Sequence, residues 1–308
     1  MQARSLYLTA PRRVEWVEEA LPQPGPGEVL LWTTAGAISI GTELARYRGA
    51  ERRGYERPLP VMTGYESLGI VTAIGDGVTG LAPGDRALAF YGHRTAALVP
   101  AAKAIPVAPD IGDALALLAI LGCDVVKGVR KLQPRPDEPV LITGAGTIGL
   151  LAVWSLRALG VETVDVVEPN ASRRELALAL GARQALDPTD GDQSSGYAVG
   201  LECSSRDAAF HLLQRWLRPQ GRICVLADGN IEPLTLAPAF HMQELTVIAS
   251  SDGWDYHQHA AWHFDVIRSG CSNVERIFEH HVSADDLPAA FEAIAAGEIN
   301  PVKVFVRY

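Results

Sequence analysis

The most constraining stretch of this 308-residue chain is Gly144-Ala145-Gly146-Thr147-Ile148-Gly149, which directly follows the strand-like run Val140–Thr143. Glycines at this spacing demand that a strand turn sharply into a helix. The first allows the tight turn, the second lets backbone approach a pyrophosphate, and the third lets helix and strand pack closely. The helix start then presents free N–H groups and a positive dipole end to that pyrophosphate. Twenty-four residues beyond Gly144 stands Glu168, closing the next strand-like run, Val164–Glu168. A carboxylate there accepts hydrogen bonds from ribose hydroxyls and repels a 2′-phosphate, which puts NAD ahead of NADP. Arg173 and Arg174 follow closely and keep NADP open, although arginines in a first helical turn also read as a solvated face. The candidate cofactor residues are Gly144, Gly146, Thr147, Ile148, Gly149, Glu168, Asn170 and Arg173.

The same region alternates strand and helix. Helices are expected at Gly149–Leu159, Arg173–Leu180 and Ala208–Leu217, and strands at Tyr197–Glu202, Arg222–Ala227 and Leu245–Ser250. Such alternation gives right-handed crossovers and a parallel sheet covered on both faces. Residues 1–110 read differently, as short strands such as Glu28–Thr34, Leu68–Ile74 and Ala87–Phe90. Turns break them at Pro24–Gly27, Gly75–Gly77 and Pro83–Asp85, the pattern of a small antiparallel barrel or sandwich. The fold class is therefore α/β, a β-rich unit joined to a doubly wound unit. A late strand, Leu245–Ser250, would lie at the sheet edge.

Charge narrows the partners. Lys and Arg number 27 against 36 Asp and Glu, a net −9 at pH 7, and phosphate-rich surfaces need the opposite sign. Nucleic acid and anionic membranes are excluded as partners, and a small-molecule substrate is expected. No apolar stretch is long and unbroken enough to span a bilayer, and the first residues show no signal-peptide pattern. A cytoplasmic chain is the default reading. Four scattered cysteines, Cys123, Cys203, Cys224 and Cys271, contain no Cys-x-x-Cys pair and so neither a disulfide framework nor a cysteine-built zinc module.

From end to end the chain resembles the medium-chain dehydrogenase/reductase superfamily, the alcohol dehydrogenase type with a GroES-like N-terminal domain. The resemblance rests on Pro24–Val29, Gly41-Thr42-Glu43, Gly64-Tyr65-Glu66, Gly75–Val78, Pro83–Arg86, Gly122-Cys123, the glycine run and Leu217–Arg222. It implies a GroES-like catalytic domain over 1–122 and 254–308, a Rossmann domain over 123–253, and an active site in the cleft between them. The resemblance also implies hydride transfer between NAD(P) and an alcohol or carbonyl. A quinone or enoyl reductase is the close alternative, and a non-catalytic NAD(H)-binding sensor is another. The resemblance further implies that two Leu245–Ser250 edges pair across a two-fold axis as a homodimer.

Against the zinc-dependent members, two motifs depart. The metal-binding Cys of the first motif is Ile40 here, and the metal-binding His of the second is Tyr65; only Cys123 and Glu66 persist. One thiolate and one carboxylate fall short of a three-ligand catalytic zinc. The four-cysteine structural lobe expected after Gly84-Asp85-Arg86 is also missing. The resemblance therefore implies a metal-free member, and Ser39–Glu43 with Gly64-Tyr65-Glu66 is similar locally to the branch containing the bacteriochlorophyllide hydroxyethyl dehydrogenases. The tetrapyrrole substrate is not carried over from so short a match.

Without a metal, fixed hydrogen-bond donors must stabilise charge on the substrate oxygen. Thr42 matches the proton-relay position of the superfamily, Tyr65 carries a phenol at the vacated ligand position, and Glu66 supports them. These three are the catalytic candidates. Tyr65 equally reads as an aromatic filling the old metal cavity beside Ile40. Glu43 flanks the same place. His93 reads as an acid/base group or as a surface-loop histidine, and Cys123 as a small buried hydrophobe. Asp124 beside it gains no role. His257, His259 and His263 read as a solvated helix face rather than a metal set. Trp254, Tyr256, Trp262 and Phe264 read as packing or pocket wall, and Lys303 as a pyrophosphate contact or a surface lysine.

Overall fold

The computed structural model describes residues 2–50, 57–190, 196–227, 232–251, 256–270 and 273–308. Trp254 and Cys271 lie outside the described residues. In chain order the elements begin with β1 (Gln2–Ala10), β2 (Arg13–Ala20), β3 (Glu28–Ile38), α1 (Ile40–Tyr47), β4 (Val61–Met62), β5 (Glu66–Ile74), β6 (Arg86–Ala89), β7 (Ala96–Pro100) and β8 (Ile105–Val107). There follow α2 (Asp113–Leu132), β9 (Val140–Thr143), α3 (Thr147–Ala158), β10 (Val164–Val167), α4 (Ala171–Ala179), β11 (Gln184–Leu186), β12 (Tyr197–Glu202), α5 (Asp207–Trp216) and β13 (Leu217–Val225). The chain ends through α6 (Pro238–Met242), β14 (Thr246–Ala249), α7 (Tyr256–Arg268), β15 (Phe278–Ser283), α8 (Leu287–Ala296) and β16 (Lys303–Arg307). Among the described residues no helix is long and apolar enough to cross a membrane.

The elements form two compact units, residues 1–120 with 278–308, and residues 121–277. The second crossover thus falls at 277/278 rather than at the expected 253/254. Packing explains the shift: on α7, Ala260 and Phe264 are buried, and the His263 ring lies 4.8 Å from that of Trp154 on α3. Asn273 Nδ2 adds a 2.7 Å bond to the Ala179 carbonyl.

In the larger-sequence-separation unit, β5 lies beside β3 in an antiparallel pair, and the chain's last strand, β16, lies on β3's other side. The sheet runs β15-β16-β3-β5-β6-β8, with β7 also on β3, and a smaller β2-β1-β4 sheet accompanies it. Pairing Val304 with Ile38 sets Lys303 just beyond the end of β3, where α1 begins. Helix α8 covers this end, and its Phe291 is fully buried among Leu6, Ile38, Leu44, Tyr47 and Val304. Gly297, in the left-handed region at φ 78°, terminates α8, the conformation that favours glycine past a helix end.

The other unit is a six-stranded parallel sheet in the order β11-β10-β9-β12-β13-β14. Strands β9, β10 and β12 are buried along their whole length, so they read as near-continuous apolar runs rather than alternating ones. The chain winds outward in both directions from β9, and a ligand crevice belongs at the carboxyl ends of strands where the order reverses. The glycine run follows β9 at that place. Helix α3 starts at Thr147, two residues before the expected Gly149, because Gly146 already serves as its extended N-cap.

Phe291→Ala removes a ring that packs on Tyr47 at 5.3 Å and on His93 at 6.0 Å. A loss of about 3–5 kcal/mol is expected, read as a lower urea midpoint of unfolding; a change within about 0.5 kcal/mol, the range of surface substitutions, would place Phe291 outside the load of this core.

Candidate functional site

The glycine loop is built for close approach. Gly144 has φ 90°, and a side chain there would press on Ser204 at 3.0 Å. A Cβ on Gly149 would run into the Gly144 carbonyl oxygen, whereas one on Gly146 would meet nothing within 4 Å. The first and third glycines are therefore required by packing. The second leaves an open cradle that a side chain would fill, which is the space a pyrophosphate takes in such a loop. Gly144 N donates to the Val167 carbonyl at 2.8 Å, tying the loop to β10. Thr147 and Ile148 form the first turn of α3.

Glu168 is buried, and its carboxylate accepts from Ala145 N at 2.7 Å and from Asn170 N at 2.9 Å. It braces the loop from the end of β10, in the place a ribose-binding acid occupies. Asn170 caps α4, accepting from the Arg173 backbone N–H. Arg173 is half-buried in the first turn. Arg174 is committed elsewhere: its guanidinium donates to the Glu168 and Pro169 carbonyls and to Asp187. That corrects its reading as a solvated or phosphate-receiving arginine.

A second polar cluster sits in the β-rich unit, where β3 runs into α1 and β5 begins. The Tyr65 hydroxyl donates to Ser39 Oγ at 2.6 Å, and the half-buried ring stacks on Phe90 with centroids 6.4 Å apart. Burial pushes the Tyr65 phenol well above its ordinary range and the Glu66 charge adds to this, while the neighbouring hydroxyls of Ser39 and Thr42 work the other way. Tyr65 is thus a neutral donor at any ordinary pH. Glu66 and Lys303 are both 0% exposed, with Nζ 2.6 Å from Oε1. Burial raises the Glu66 carboxyl, against the pull of Lys303. Glu43, at 4% exposure, accepts from Ser39 N at 2.8 Å and pairs with His93 Nε2 at 3.1 Å.

Residues 25–106 match the family model described as Alcohol dehydrogenase GroES-like domain, and residues 147–262 match that described as Zinc-binding dehydrogenase. Together they take in well over half of the chain. The chain belongs to the medium-chain dehydrogenase/reductase superfamily. A curated relative, the L-threonine 3-dehydrogenase of Deinococcus deserti, is 26% identical across 93% of this chain and 94% of its own length. The fold matches that of a Sinorhizobium meliloti 1021 protein solved with NADP bound, with a TM-score of 0.87, 23% identity and full coverage of both chains. It also matches acetophenone reductase from Geotrichum candidum in complex with NAD, with a TM-score of 0.83, 21% identity and coverage of 100% and 97%.

A zinc-binding family raises the question of whether the donors present suit zinc. Ile40 offers no donor atom. Tyr65 keeps its proton, and Glu66 has one oxygen on Lys303 while Oε2 is buried without a hydrogen-bond partner. Cys123, on α2 in the other unit, is buried, directs its thiol at the Tyr256 carbonyl at 3.5 Å, and has that thiol pushed up by burial. Among the described residues, no group of three or more His, Cys, Asp or Glu is gathered as a metal would require. This donor set does not fit a three-ligand zinc site. The dinucleotide loop, by contrast, does fit its cofactor.

Several residues stand elsewhere than the sequence suggested. His93 is buried on Glu43, not on a surface loop. Lys303 is neither a surface lysine nor a free basic group, but the partner of Glu66. His259 and His263 are buried rather than solvated; Arg130 bonds His259 Nδ1 at 3.1 Å and stacks over Trp262. Asp124 accepts from the Tyr256 hydroxyl at 2.7 Å. Ser39 was read only as part of a motif and given no role, although a serine directly before Ile40-Gly41-Thr42 marks a helix start.

Gly149→Ala is expected to weaken NADH binding at least tenfold, about 1.4 kcal/mol, in a fluorescence titration. An unchanged dissociation constant would remove the loop from cofactor binding.

Proposed function

We propose that the chain is an NAD(P)-dependent, zinc-independent oxidoreductase that moves hydride between nicotinamide and an alcohol/carbonyl pair, with NAD preferred. The observation that carries this reading is the Tyr65 hydroxyl, held by Ser39 and kept protonated beside the buried Glu66. Bound cofactor supplies or accepts the hydride at the nicotinamide ring. Gly144, Gly146, Thr147, Ile148 and Gly149 would take its pyrophosphate, and Glu168, with Asn170 and Arg173 beside it, its ribose.

The chain's own residues handle the substrate oxygen. Tyr65 donates a hydrogen bond to it, stabilising charge as the carbon–oxygen bond changes order, and the proton that the alcohol carries and the carbonyl lacks is exchanged with solvent water. Thr42, at the start of α1, orients the phenol and offers a second hydroxyl. Glu66 acts on Tyr65 through charge: a carboxylate next in sequence disfavours the phenolate, so the phenol remains a donor. A donor cluster of this kind serves a carbonyl oxygen directly, which favours this reading over reduction of a C=C bond.

Zinc independence rests on Ile40, Tyr65 and the Lys303–Glu66 pair. Reduced thiols at Cys123, Cys203 and Cys224 suit the cytoplasm. Strand β14 ends the parallel sheet, with Met242 just before it 77% exposed, and pairing two such edges would give a homodimer.

Tyr65→Phe is expected to lower kcat about 100-fold or more, as loss of one oxyanion donor does, with NADH affinity unchanged, in assays on ketones, aldehydes and vicinal diols. Unchanged kcat would take Tyr65 out of the mechanism, and NADH binding without turnover on the whole panel would favour the sensor reading. Elemental analysis should find far less than one zinc per chain; a stoichiometric ion would overturn the zinc-free reading.

A further inference from the structure

The Tyr65 hydroxyl does not stand alone: a chain of buried side chains leads from it to the C-terminal residue. Ser39 is the N-cap residue of α1, yet its side chain makes no capping bond. A serine in that position ordinarily accepts from an N–H of the first helical turn. Here its hydroxyl is 2.6 Å from Tyr65 instead. The helix start is tied by Glu43, one turn on, whose Oε1 accepts from Ser39 N at 2.8 Å. That bond fixes the Ser39 backbone and leaves its hydroxyl to the phenol. Hydroxyl hydrogens rotate to suit their surroundings. Once substrate is present, Ser39 can donate to Tyr65 and free the phenol proton to point elsewhere.

Glu43 is itself held. Its Oε2 lies 3.1 Å from His93 Nε2, and His93 Nδ1 lies 3.4 Å from the Tyr308 hydroxyl. With a carboxylate on Nε2, that nitrogen carries the hydrogen and Nδ1 accepts from the phenol. The imidazole is 0% exposed. Its backbone N donates to the Thr63 carbonyl at 2.8 Å, its carbonyl accepts from Leu6 N at 2.9 Å, and the Phe291 ring meets it edge-on.

His93 also touches Tyr65's own backbone neighbour. Gly64 has φ 74°, and a Cβ there would come 2.7 Å from the imidazole ring. The backbone leading into Tyr65 therefore packs closely against His93. Two tethers converge on one residue, through Ser39 to the hydroxyl and through Gly64 to the backbone.

We propose that His93 and Glu43 are positioning residues for the Tyr65 hydroxyl, acting through Ser39, with Tyr308 closing the chain. This rests on the reading of Tyr65 as the oxygen-binding donor, but it is tested without turnover. Tyrosine labelled with 13C at Cζ reports phenol hydrogen bonding, and Tyr65→Phe assigns its signal among the eight tyrosines. Ser39→Ala, which removes the phenol's partner without removing a helix cap, shows how far the signal moves when that bond is lost. His93→Phe and Glu43→Gln are expected to move the Tyr65 signal in the same direction, and His93→Gln, which keeps a donor for Glu43, to restore most of it. Should His93→Phe fail to fold, the 15N shifts of the unaltered protein still decide, since they must show His93 protonated at Nε2 with Nδ1 accepting. A Tyr65 signal that responds to Ser39→Ala but not to Glu43→Gln or His93→Phe would overturn the proposal, as would an Nδ1–H tautomer. Undiminished turnover in Tyr65→Phe with the coupling intact would instead sink the catalytic reading alone.

Discussion

Two carboxylates buried away from water in one small β-rich unit are the constraint on which the remainder depends. Leaving a buried charge uncompensated costs several kcal/mol. Glu66 meets this cost with Lys303, and Glu43 with His93 and the Ser39 amide. Neither partner side chain is near its acid in sequence. Lys303 reaches Glu66 only because the last strand returns beside β3, in register with Ile38. The topology of the sheet and the electrostatics of the site are therefore one problem with one solution: β16 cannot leave without stranding a carboxylate.

That arrangement also explains how a chain from a zinc-binding family can carry Ile40 and Tyr65 in its two motifs. A fixed cation already sits on the carboxylate of the second motif, so Glu66 has one oxygen engaged. The neighbouring phenol, raised by burial and by that same acid, keeps its proton. A metal would place positive charge directly on a substrate oxygen. In the proposed reading a neutral donor does so, with its orientation rather than its charge maintained by the surroundings.

How much of this was legible depended on how local the physics is. The glycine loop could be read because each glycine answers to backbone geometry within a few residues: Gly149 to the Gly144 carbonyl, Gly146 to the open cradle. The strand–helix alternation was legible for the same reason. His93 was open to a surface-loop reading because its partner is 50 residues away, and Lys303 because its partner is 237 residues away. Nothing in a pattern of neighbours marks such pairs. The second domain crossover was misplaced for a like cause: α7 looks polar, with histidines at 257, 259 and 263, yet two of those three are buried beside Arg130 and Trp154.

The same distinction bears on the choice of cofactor. From sequence, both Arg173 and Arg174 could meet a 2′-phosphate, with Arg173 alone counted among the cofactor residues. In the structure Arg174 closes the turn after β10, bonding two carbonyls and Asp187, and its charge is thereby matched. Glu168 in turn is pinned by two backbone N–H groups, one of them in the glycine loop. A fixed negative group cannot turn aside for a phosphate without breaking the loop that would hold the pyrophosphate. In the proposed reading, discrimination against the phosphorylated ribose comes from rigidity as much as from charge, because the bonds that brace the loop are the same bonds that hold the carboxylate in place.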